Sequence, residues 1–277
     1  MPVMRVAAQV SIFLLTGWVM APCAGAFGPE GNLLVGVVAE RDLCADAHNA
    51  VNQLLEGQSL GQAGRWPDWI RSDPEWKHTR TWHYINVGDD EPIEQVVKGD
   101  HQDVLWAIRR FDRRLADETL TAEERATALR FLAHFTADVH QPLHVGRAED
   151  RGGNRIVVRV GKRITNLHAV WDAEALLKDE RKKRGLTRDQ QAQGLVVRTQ
   201  GRVAEFQADP PLEWARESQA LRALVYAFPA PEGDAAVRLE GEYLAAATDI
   251  VHSRLSAAGV RLAGRINRIF CRLPDAR

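Results

Sequence analysis

One segment in the middle of the chain contains histidines and aspartates at spacings that suit metal binding. His134 and Asp138 are four residues apart, as are His168 and Asp172, and His144 lies between the two pairs. On an α-helix, residues four apart project from the same face, so each pair can reach one ion. Imidazole and carboxylate groups are ligands that zinc binds. The spacing therefore predicts a metal site.

An upstream segment, residues 65–86, adds a carboxylate and an imidazole in Asp68 and His83. Its four tryptophans and two prolines favour an ordered surface loop over a long helix. Arg71 follows Asp68 by three residues, and a guanidinium matches the oxygens of a phosphoryl group. One His-x-x-x-Asp pair is usually a hydrogen-bonding or capping pair. The joint pattern, however, supplies ligands for more than one zinc.

Composition predicts an ordinary globular protein and limits its partners. The chain has 277 residues, of which 45% are hydrophobic and 26% charged, so it can bury a sizeable core. Its formal net charge of −1 provides no broad basic field. This argues against a protein that coats DNA, but it is compatible with an enzyme that holds phosphates through metal ions and a few arginines.

The first 26 residues have the features of a secretory signal peptide. Arg5 is their only charge, an apolar run passes through I-F-L-L-T-G-W-V-M, and A-G-A at residues 24–26 fits a cleavage site. We therefore predict a mature chain that begins at Phe27, is secreted or periplasmic, and has no membrane span. Cys44 and Cys271 then remain; a disulfide and two buried free thiols are equally compatible with the sequence.

The elements that position these residues are predicted to be mainly helices. Thr121-Ala-Glu-Glu124 is a capping box that begins a helix ending near His140. The segment R-I-V-V-R-V-G-K-R-I-T predicts a short β-hairpin that turns near Gly161 and Lys162. Helical periodicity also covers residues 32–55, 95–117, 168–179, 187–208, 211–228 and 234–272.

The sequence resembles the zinc-dependent single-strand nucleases of the S1/P1 type, which are more distantly related to bacterial zinc phospholipases C. The residues that carry this resemblance are W-P-D-W-I-R, W-H-Y-I-N, H-F-T-A-D-V-H-Q-P-L-H, G-G-N and N-L-H-A-V-W-D. The resemblance implies a mainly α, single-domain fold of the phospholipase C and P1 nuclease type over residues 27–277, with one short β-hairpin. It also implies export and three zinc ions in a cleft.

The resemblance further implies which residues bind each zinc. One zinc would be bound by Asp68, His83, His134 and Asp138, and another by His144, His168 and Asp172. Asp138 would bridge to a third zinc, whose other ligands are the amino-terminal nitrogen and carbonyl of the first mature residue and a histidine five residues later. In this chain those positions hold Phe27 and Asn32. An asparagine oxygen is a weaker zinc ligand than imidazole, so we hypothesise that this site is weak.

The same resemblance implies a substrate and a mechanism. Asp68 would orient or accept a proton from the attacking water, and Arg71 would neutralise charge on the phosphoryl group, giving a 5′-phosphate product. Tyr84 would stack on an unpaired base and Asn86 would hydrogen-bond it, which favours single-stranded RNA or DNA, or nucleotides. Plain core packing is the alternative role for Tyr84.

Two other functions stay open at this point. A zinc phospholipase C can use the same ligand order, although Asp172 in place of a glutamate and the lack of an apolar membrane-binding stripe favour a nuclease. The second open function is a homologue that binds zinc or nucleotides but is catalytically weak or inactive. Asn32 suggests this function because it replaces a zinc-binding histidine. The sequence specifies neither an oligomeric state nor a preference between RNA and DNA.

Overall fold

The structure is a computed structural model that describes residues 27–97, 101–229 and 235–271. The predicted signal peptide, residues 1–26, lies outside the described residues. The α-helices are α1 (Pro29–Arg41), α2 (Ala45–Leu54), α3 (Leu60–Ala63), α4 (Trp66–Ile70), α5 (Ile93–Val97), α6 (Val104–Ala116), α7 (Ala122–His140), α8 (Leu167–Trp171), α9 (Glu174–Arg184), α10 (Arg188–Thr199), α11 (Val203–Ala208), α12 (Pro211–Val225) and α13 (Gly241–Phe270). The predicted mainly α-helical fold is confirmed. None of the helices within these ranges is long and apolar enough to cross a membrane.

Helix α7 lies at the centre of the core and carries two of the predicted ligands, His134 and Asp138. Every residue from Phe131 to His140 is buried. The helix packs against α6 on one side and against α1, α12 and α13 elsewhere. Phe111 of α6 stacks on Phe131, with ring centroids 4.5 Å apart. Close packing along this helix therefore fixes its polar residues at defined positions inside the core.

The boundaries of α7 follow from local chemistry. The Thr121 hydroxyl accepts a hydrogen bond from the Glu124 N–H at 3.2 Å, and the Glu124 carboxylate accepts one from the Thr121 N–H at 3.0 Å. The predicted capping box is thus confirmed. At the other end Gln141 is extended and Pro142 follows, which disfavours another helical turn. The chain then enters a short 3₁₀ helix, Pro142–His144.

Several helices predicted as continuous are divided in the structure. The prediction over 32–55 is wrong in this respect, because residues 42–44 separate α1 from α2 and the Cys44 sulfur caps α2. The helix predicted over 95–117 is likewise divided into α5 and α6, and the Asp103 carboxylate caps α6. Apolar spacing continued through these breaks and so did not reveal them. The segments 168–179 and 187–208 are also each two helices, and the last helix begins at Gly241 rather than 234.

The β structure is more extensive than one hairpin. The predicted hairpin is present as β3 (Val157–Val160) and β4 (Arg163–Asn166), turning at Gly161 and Lys162. A further strand, β5 (Val237–Arg238), pairs parallel with β3. In addition, β1 (Ile85–Asn86) pairs parallel with β2 (Val145–Gly146). These two-residue strands join distant parts of the chain, so local alternation could not predict them.

The pairing of β1 with β2 matters because it joins the two segments that carry His83 and His144, both predicted to be metal ligands. A long 3₁₀ helix, Pro74–His83, ends just before β1, and the helix Pro142–His144 ends just before β2. The register aligns Ile85 with Val145. His83 lies two residues before β1, and His144 lies directly before β2. The parallel pairing of the two strands therefore brings His83 and His144 close together.

Helices α1 and α3 approach each other without intervening side chains. A Cβ atom on Gly36 would lie 2.2 Å from the backbone nitrogen of Gly61, so only glycine fits there. Helix α3 is followed by Gly64, whose carbonyl contacts His134. The close approach therefore holds the start of α1 near one of the ligand histidines.

A disulfide joins Cys44 to Cys271, whose Cα atoms are 6.2 Å apart. The sequence was compatible with either a disulfide or two free thiols, and the structure contains the disulfide. Asn267 supports the same junction, because its side chain accepts the Cys44 N–H at 3.0 Å and donates to the Asp42 carbonyl at 2.8 Å. The corner between α1 and α2 is thus fixed to the end of α13.

Candidate metal centre

The first group of potential metal ligands consists of Asp68, His83 and His134. Asp68 lies in α4, His83 ends the long 3₁₀ helix, and His134 lies in α7. One nitrogen or oxygen atom from each lies within 4.8 Å of the others. Both histidines are buried, whereas Asp68 is partly exposed. These atoms are close enough to bind one ion together.

The second group consists of His144, His168 and Asp172. His144 ends the short 3₁₀ helix, His168 lies in α8, and Asp172 is the residue that follows α8. Their ligand atoms also lie within 4.8 Å of one another, and all three residues are buried. The side-chain amide of Gln141 donates a hydrogen bond to Asp172 at 3.1 Å, which orients the carboxylate.

Asp138 lies between the two groups. Its Oδ2 is 3.0 Å from His83 Nδ1 and 3.2 Å from His134 Nε2, which places it with the first group. Its Oδ1 is 3.0 Å from His144 Nδ1, so it also contacts the second group. The two His-x-x-x-Asp pairs therefore contribute to two neighbouring groups, and Asp138 connects them.

Backbone carbonyls fix the orientation of three of the imidazoles. The Nδ1–H groups of His134, His144 and His168 face the carbonyls of Gly64, His83 and Gly152, at 2.8, 2.7 and 2.6 Å respectively. A carbonyl only accepts hydrogen bonds, so each Nδ1 carries a proton and Nε2 is the nitrogen through which each imidazole can bind a metal ion. Histidines that bind metals are typically held in this way.

Buried polar atoms without a hydrogen-bond partner are concentrated in these groups. In native proteins such atoms are almost always paired, so a cluster of them indicates an absent ligand. Among the described residues they include Asn32 Oδ1, Asp68 Oδ1, His83 Nε2, Asp138 Oδ1, His144 Nε2 and His168 Nε2. Imidazole nitrogen and carboxylate oxygen form the donor set that zinc prefers. The residues present therefore fit zinc.

The two groups differ electrostatically. Burial opposes a charge on His134, but the carboxylates of Asp138 and Asp68 outweigh it and raise the pKa of His134 to about 9. Burial likewise opposes ionisation of Asp138, but His134 and His144 outweigh it and hold the pKa of Asp138 well below its usual range. In the second group, burial and the neighbouring His144 lower the pKa of His168 to about 3. Burial also raises the pKa of Asp172 well above its usual value.

Phe27 and Asn32 lie at the beginning of α1, beside the first group. Phe27 is fully buried, and its carbonyl accepts the Asn32 N–H at 3.1 Å. The Asn32 side chain is buried, with Nδ2 3.4 Å from His134 Nδ1. Its side chain offers one neutral oxygen where the resemblance implies an imidazole. The structure thus places Asn32 next to His134, a predicted ligand.

A cavity of about 570 Å³ opens above both groups. His83, His144 and His168 form part of its lining. Tyr84 and Asn86 also line it, and the Tyr84 side chain is 40% exposed, which argues against plain core packing. The structure thus brings Tyr84 and Asn86 to the same cavity as three of the predicted ligand histidines.

Arg71 lines the same cavity, and its Nη1 lies 3.8 Å from Asp68 Oδ1. Two further arginines of the lining, Arg80 and Arg151, were not identified from the sequence. Arg80 is three residues before His83, a spacing that could have indicated it. For Arg151 the sequence gives no comparable signal, because its position depends on how the turn before Gly152 folds.

Comparison with known proteins identifies relatives over most of the chain. Residues 27–271 match the family described as S1/P1 Nuclease. Endonuclease 2 of Arabidopsis thaliana is 30% identical over 293 aligned positions, covering 95% of this chain and 97% of that protein. Endonuclease 4 of the same plant is 32% identical, with 90% of each chain covered. Nuclease P1 of Penicillium citrinum is 28% identical, covering 88% of this chain and 97% of its own length.

Proposed function

Because this chain belongs to the S1/P1 nuclease family, we propose that it is a zinc-dependent phosphodiesterase that hydrolyses single-stranded RNA or DNA to 5′-phosphate products. The proposal includes removal of the 3′-phosphate from nucleotides. One observation carries it: the two groups of buried imidazoles and carboxylates, with ligand atoms that lack other partners, lie beneath a cavity lined by Arg71 and Tyr84.

The ligand sets follow from the two groups. Asp68, His83, His134 and Asp138 would bind one zinc, and His144, His168 and Asp172 another. When bound, zinc supplies Lewis acidity, which polarises phosphoryl oxygens and lowers the pKa of a water molecule.

Hydrolysis requires a proton acceptor and a group that neutralises the phosphoryl charge. Asp68 is partly exposed next to the cavity, so its carboxylate would orient the attacking water and accept its proton. The water oxygen bonds to phosphorus, the bond from phosphorus to the 3′-oxygen breaks, and the 3′-oxygen gains a proton. Arg71 lies next to Asp68, and its guanidinium would bind the phosphoryl oxygens as charge develops.

Preference for a single strand would come from Tyr84 and Asn86. An aromatic ring at the cavity edge can stack on any base, but only where that base is unpaired. The Asn86 amide can both donate to a base and accept from it. Stacking without a fixed hydrogen-bonding pattern gives weak sequence preference, which suits a general nuclease.

The amino-terminal position would hold a third zinc weakly. Its ligands would be the terminal nitrogen and carbonyl oxygen of Phe27 after signal cleavage, the Asn32 side chain and Asp138. The family match begins at Phe27, the residue at which cleavage is predicted, and this supports processing at that position. A secreted or periplasmic location is supported by the Cys44–Cys271 disulfide, which is stable in oxidising compartments.

The proposal can be tested with four substrates. Mature protein loaded with zinc is incubated with single-stranded RNA, single-stranded DNA, duplex DNA and phosphatidylcholine, and the termini of any products are determined. We expect cleavage of both single strands, slower cleavage of the duplex, and 5′-phosphate ends. Cleavage of the lipid alone would indicate a phospholipase C. Cleavage of nothing by metal-replete protein would indicate a binding protein and contradict the proposal.

Arg71→Ala provides the site-specific arm of this test. We expect a loss of kcat of about 10²- to 10³-fold, since one charge-stabilising donor at the phosphoryl group is removed. Arg113→Ala is the matched control, because Arg113 is exposed on α6 and does not line the cavity. Equal losses in the two variants would show that Arg71 has no specific role.

A further inference from the structure

The cavity lining contains two arginines, Arg80 and Arg151, that have no part in the mechanism above. We propose that they bind the phosphates on either side of the scissile one, so that the preferred substrate is an oligonucleotide that crosses the cavity. This inference rests on the proposed function and deepens it, because it distinguishes a polynucleotide strand from a mononucleotide.

Arg80 lies on the side of the first group. It belongs to the 3₁₀ helix that ends at His83, and residues three apart in such a helix lie directly above one another. Arg80 and His83 therefore project from the same side of the helix toward the cavity that both line. The Arg80 Nε–H also faces the Arg71 carbonyl at 3.5 Å, which places it beside the residue proposed to bind the scissile phosphate.

Arg151 lies on the side of the second group. It directly precedes Gly152, whose carbonyl accepts the Nδ1–H of His168 at 2.6 Å. Arg151 has a φ of +56°, in the left-handed region that disfavours a long side chain. The turn is held by the Gly152 N–H, which donates to the Arg147 carbonyl at 2.9 Å. The backbone of Arg151 is thus held next to the second group, whereas Arg80 belongs to the helix that carries His83 of the first group.

The charge of the lining supports an anionic chain as the ligand. Arg71, Arg80 and Arg151 line the cavity, whereas no aspartate or glutamate is among the residues that line it. Within the described part of the chain, neither Arg80 nor Arg151 forms an ion pair, although arginines elsewhere commonly do. The whole protein has a net charge of −1, so the positive charge of this lining is a local feature, although the carboxylates of the two groups lie beneath it. Several guanidiniums in one cavity lining can bind successive phosphates of a strand.

The two arginines should affect a long substrate and a short one differently. An oligonucleotide would contact Arg80 and Arg151 through its flanking phosphates, whereas a nucleoside 3′-monophosphate has only the phosphate that reacts. Charge-assisted contacts at a solvent-exposed rim favour binding and are weakened by salt. Removal of either guanidinium should therefore raise KM for oligonucleotides without changing the reaction of the mononucleotide.

The test compares Arg80→Gln, Arg151→Gly and the double variant with wild type on a single-stranded oligonucleotide and on a nucleoside 3′-monophosphate. Glycine at 151 removes the charge and also suits the positive φ, so this variant should melt at the same or a higher temperature than wild type. For the oligonucleotide we expect kcat/KM to fall about tenfold per single variant, mainly through KM. The slope of log affinity against log salt should fall by about 0.7 for each arginine removed.

The control substrate and a control variant define what would overturn the proposal. The mononucleotide reaction should stay within about twofold of wild type, given that the contacts lie outside its reach. Arg113→Gln, on the exposed face of α6, should change neither reaction. Equal losses on both substrates would assign the arginines to the reacting phosphate, and no loss on either would make them ordinary surface residues. Either result contradicts the proposal.

A binding measurement separates this inference from the proposed function. The affinity of zinc-loaded wild-type and variant proteins for a fluorescently labelled, non-hydrolysable single-stranded oligonucleotide is measured by anisotropy at several salt concentrations. Weaker binding and smaller salt slopes in the variants would support the phosphate contacts even if wild type cleaved no nucleic acid. If wild type cleaves nucleic acid and the variants bind it as wild type does, the inference fails while the proposed function stands.

Discussion

The two groups around α7 and the amino-terminal position offer very different ligands. The groups combine buried imidazoles and carboxylates, and backbone carbonyls orient three of the imidazoles. The amino-terminal position has Asn32, a neutral oxygen donor, and the backbone of Phe27. Negative charge and oriented imidazole nitrogens favour zinc, so we expect the groups in the helical core to bind zinc more tightly than the start of the chain does.

Substitution of Asp138, which contacts both core groups, should reduce activity more than any of the other substitutions. In Asp138→Asn the side chain keeps its shape but loses its charge, so both the first group and the amino-terminal position lose their shared carboxylate. We expect nuclease activity to fall by at least about 10³-fold, which corresponds to a loss of several kcal/mol. Zinc content, measured by elemental analysis of the purified protein, should fall as well.

Asp112→Asn is the matched control for this variant. Asp112 forms an ion pair with Arg265, whereas the partners of Asp138 are histidines, and Asp112 belongs to neither ligand group. It should keep full zinc content and activity within a few-fold of wild type. If Asp138→Asn retained as much zinc as Asp112→Asn, the proposed shared role of Asp138 would be wrong.

A second prediction concerns the protonation of the histidines, which differs between the two core groups. Since Asp138 and Asp68 raise the pKa of His134 to about 9, this imidazole is protonated at pH 7 in the metal-free protein. A zinc ion must displace that proton, so affinity at the first group should fall about tenfold for each pH unit below 9. Burial lowers the pKa of His168 to about 3, so its imidazole is already neutral.

Side-chain nitrogen NMR of metal-free protein would observe this difference. One histidine should titrate near pH 9, and another should stay neutral down to about pH 4. His134→Asn should remove the first of these titrations and leave the second. Because a raised pKa stabilises the folded state only below it, the metal-free protein should also lose this stabilisation as the pH rises from 6.5 to 9. A neutral His134 at pH 7 would contradict the assignment.

Asn32→His tests the amino-terminal position directly. An imidazole would restore the nitrogen donor that the resemblance implies, so we expect zinc affinity there to rise about 10- to 100-fold. The measurement is zinc retained by mature protein, beginning at Phe27, after dialysis against a weak chelator. Asn52→His, at an exposed position of α2, should retain no extra zinc. Three tightly held zincs in wild type would show that Asn32 is an adequate ligand.

Features of the fold that depend on residues close in sequence could be predicted from the sequence, whereas features that depend on distant residues could not. The capping box of α7 and the hairpin turn at Gly161 involve neighbours in sequence, and both were identified correctly. The break between α1 and α2 and the pairing of β1 with β2 were not, because they depend on capping by Cys44 and on distant contacts. The residues predicted as ligands stood out in the sequence because of their types and spacing, and the structure brings them together in two groups. Arg80 and Arg151 are ordinary surface residue types and did not stand out in this way.

The smallest expected effect concerns the support of the amino-terminal position. Glu30 lies between Phe27 and Asn32 and is only 3% exposed. Its carboxylate forms ion pairs with Arg181 and Arg188, while its N–H donates to Glu174 at 2.8 Å. Burial opposes its ionisation, but hydrogen bonding and charge from the two arginines prevail and lower the pKa of Glu30.

Glu30→Gln should therefore loosen the start of α1 without disturbing either core group. We expect a loss of about 1 kcal/mol of unfolding free energy at pH 7, a modest value because Arg188 is half exposed. A lowered carboxyl pKa stabilises the fold above the unfolded value of 4.5 and loses that effect as the pH falls, so the difference from wild type should shrink in acid. Chemical denaturation of metal-free protein at pH 7 and pH 4 measures this. Zinc retention by the core groups should stay unchanged, since their ligands come from α4, α7, α8 and the 3₁₀ helices; a loss there would show that the start of α1 supports the whole centre.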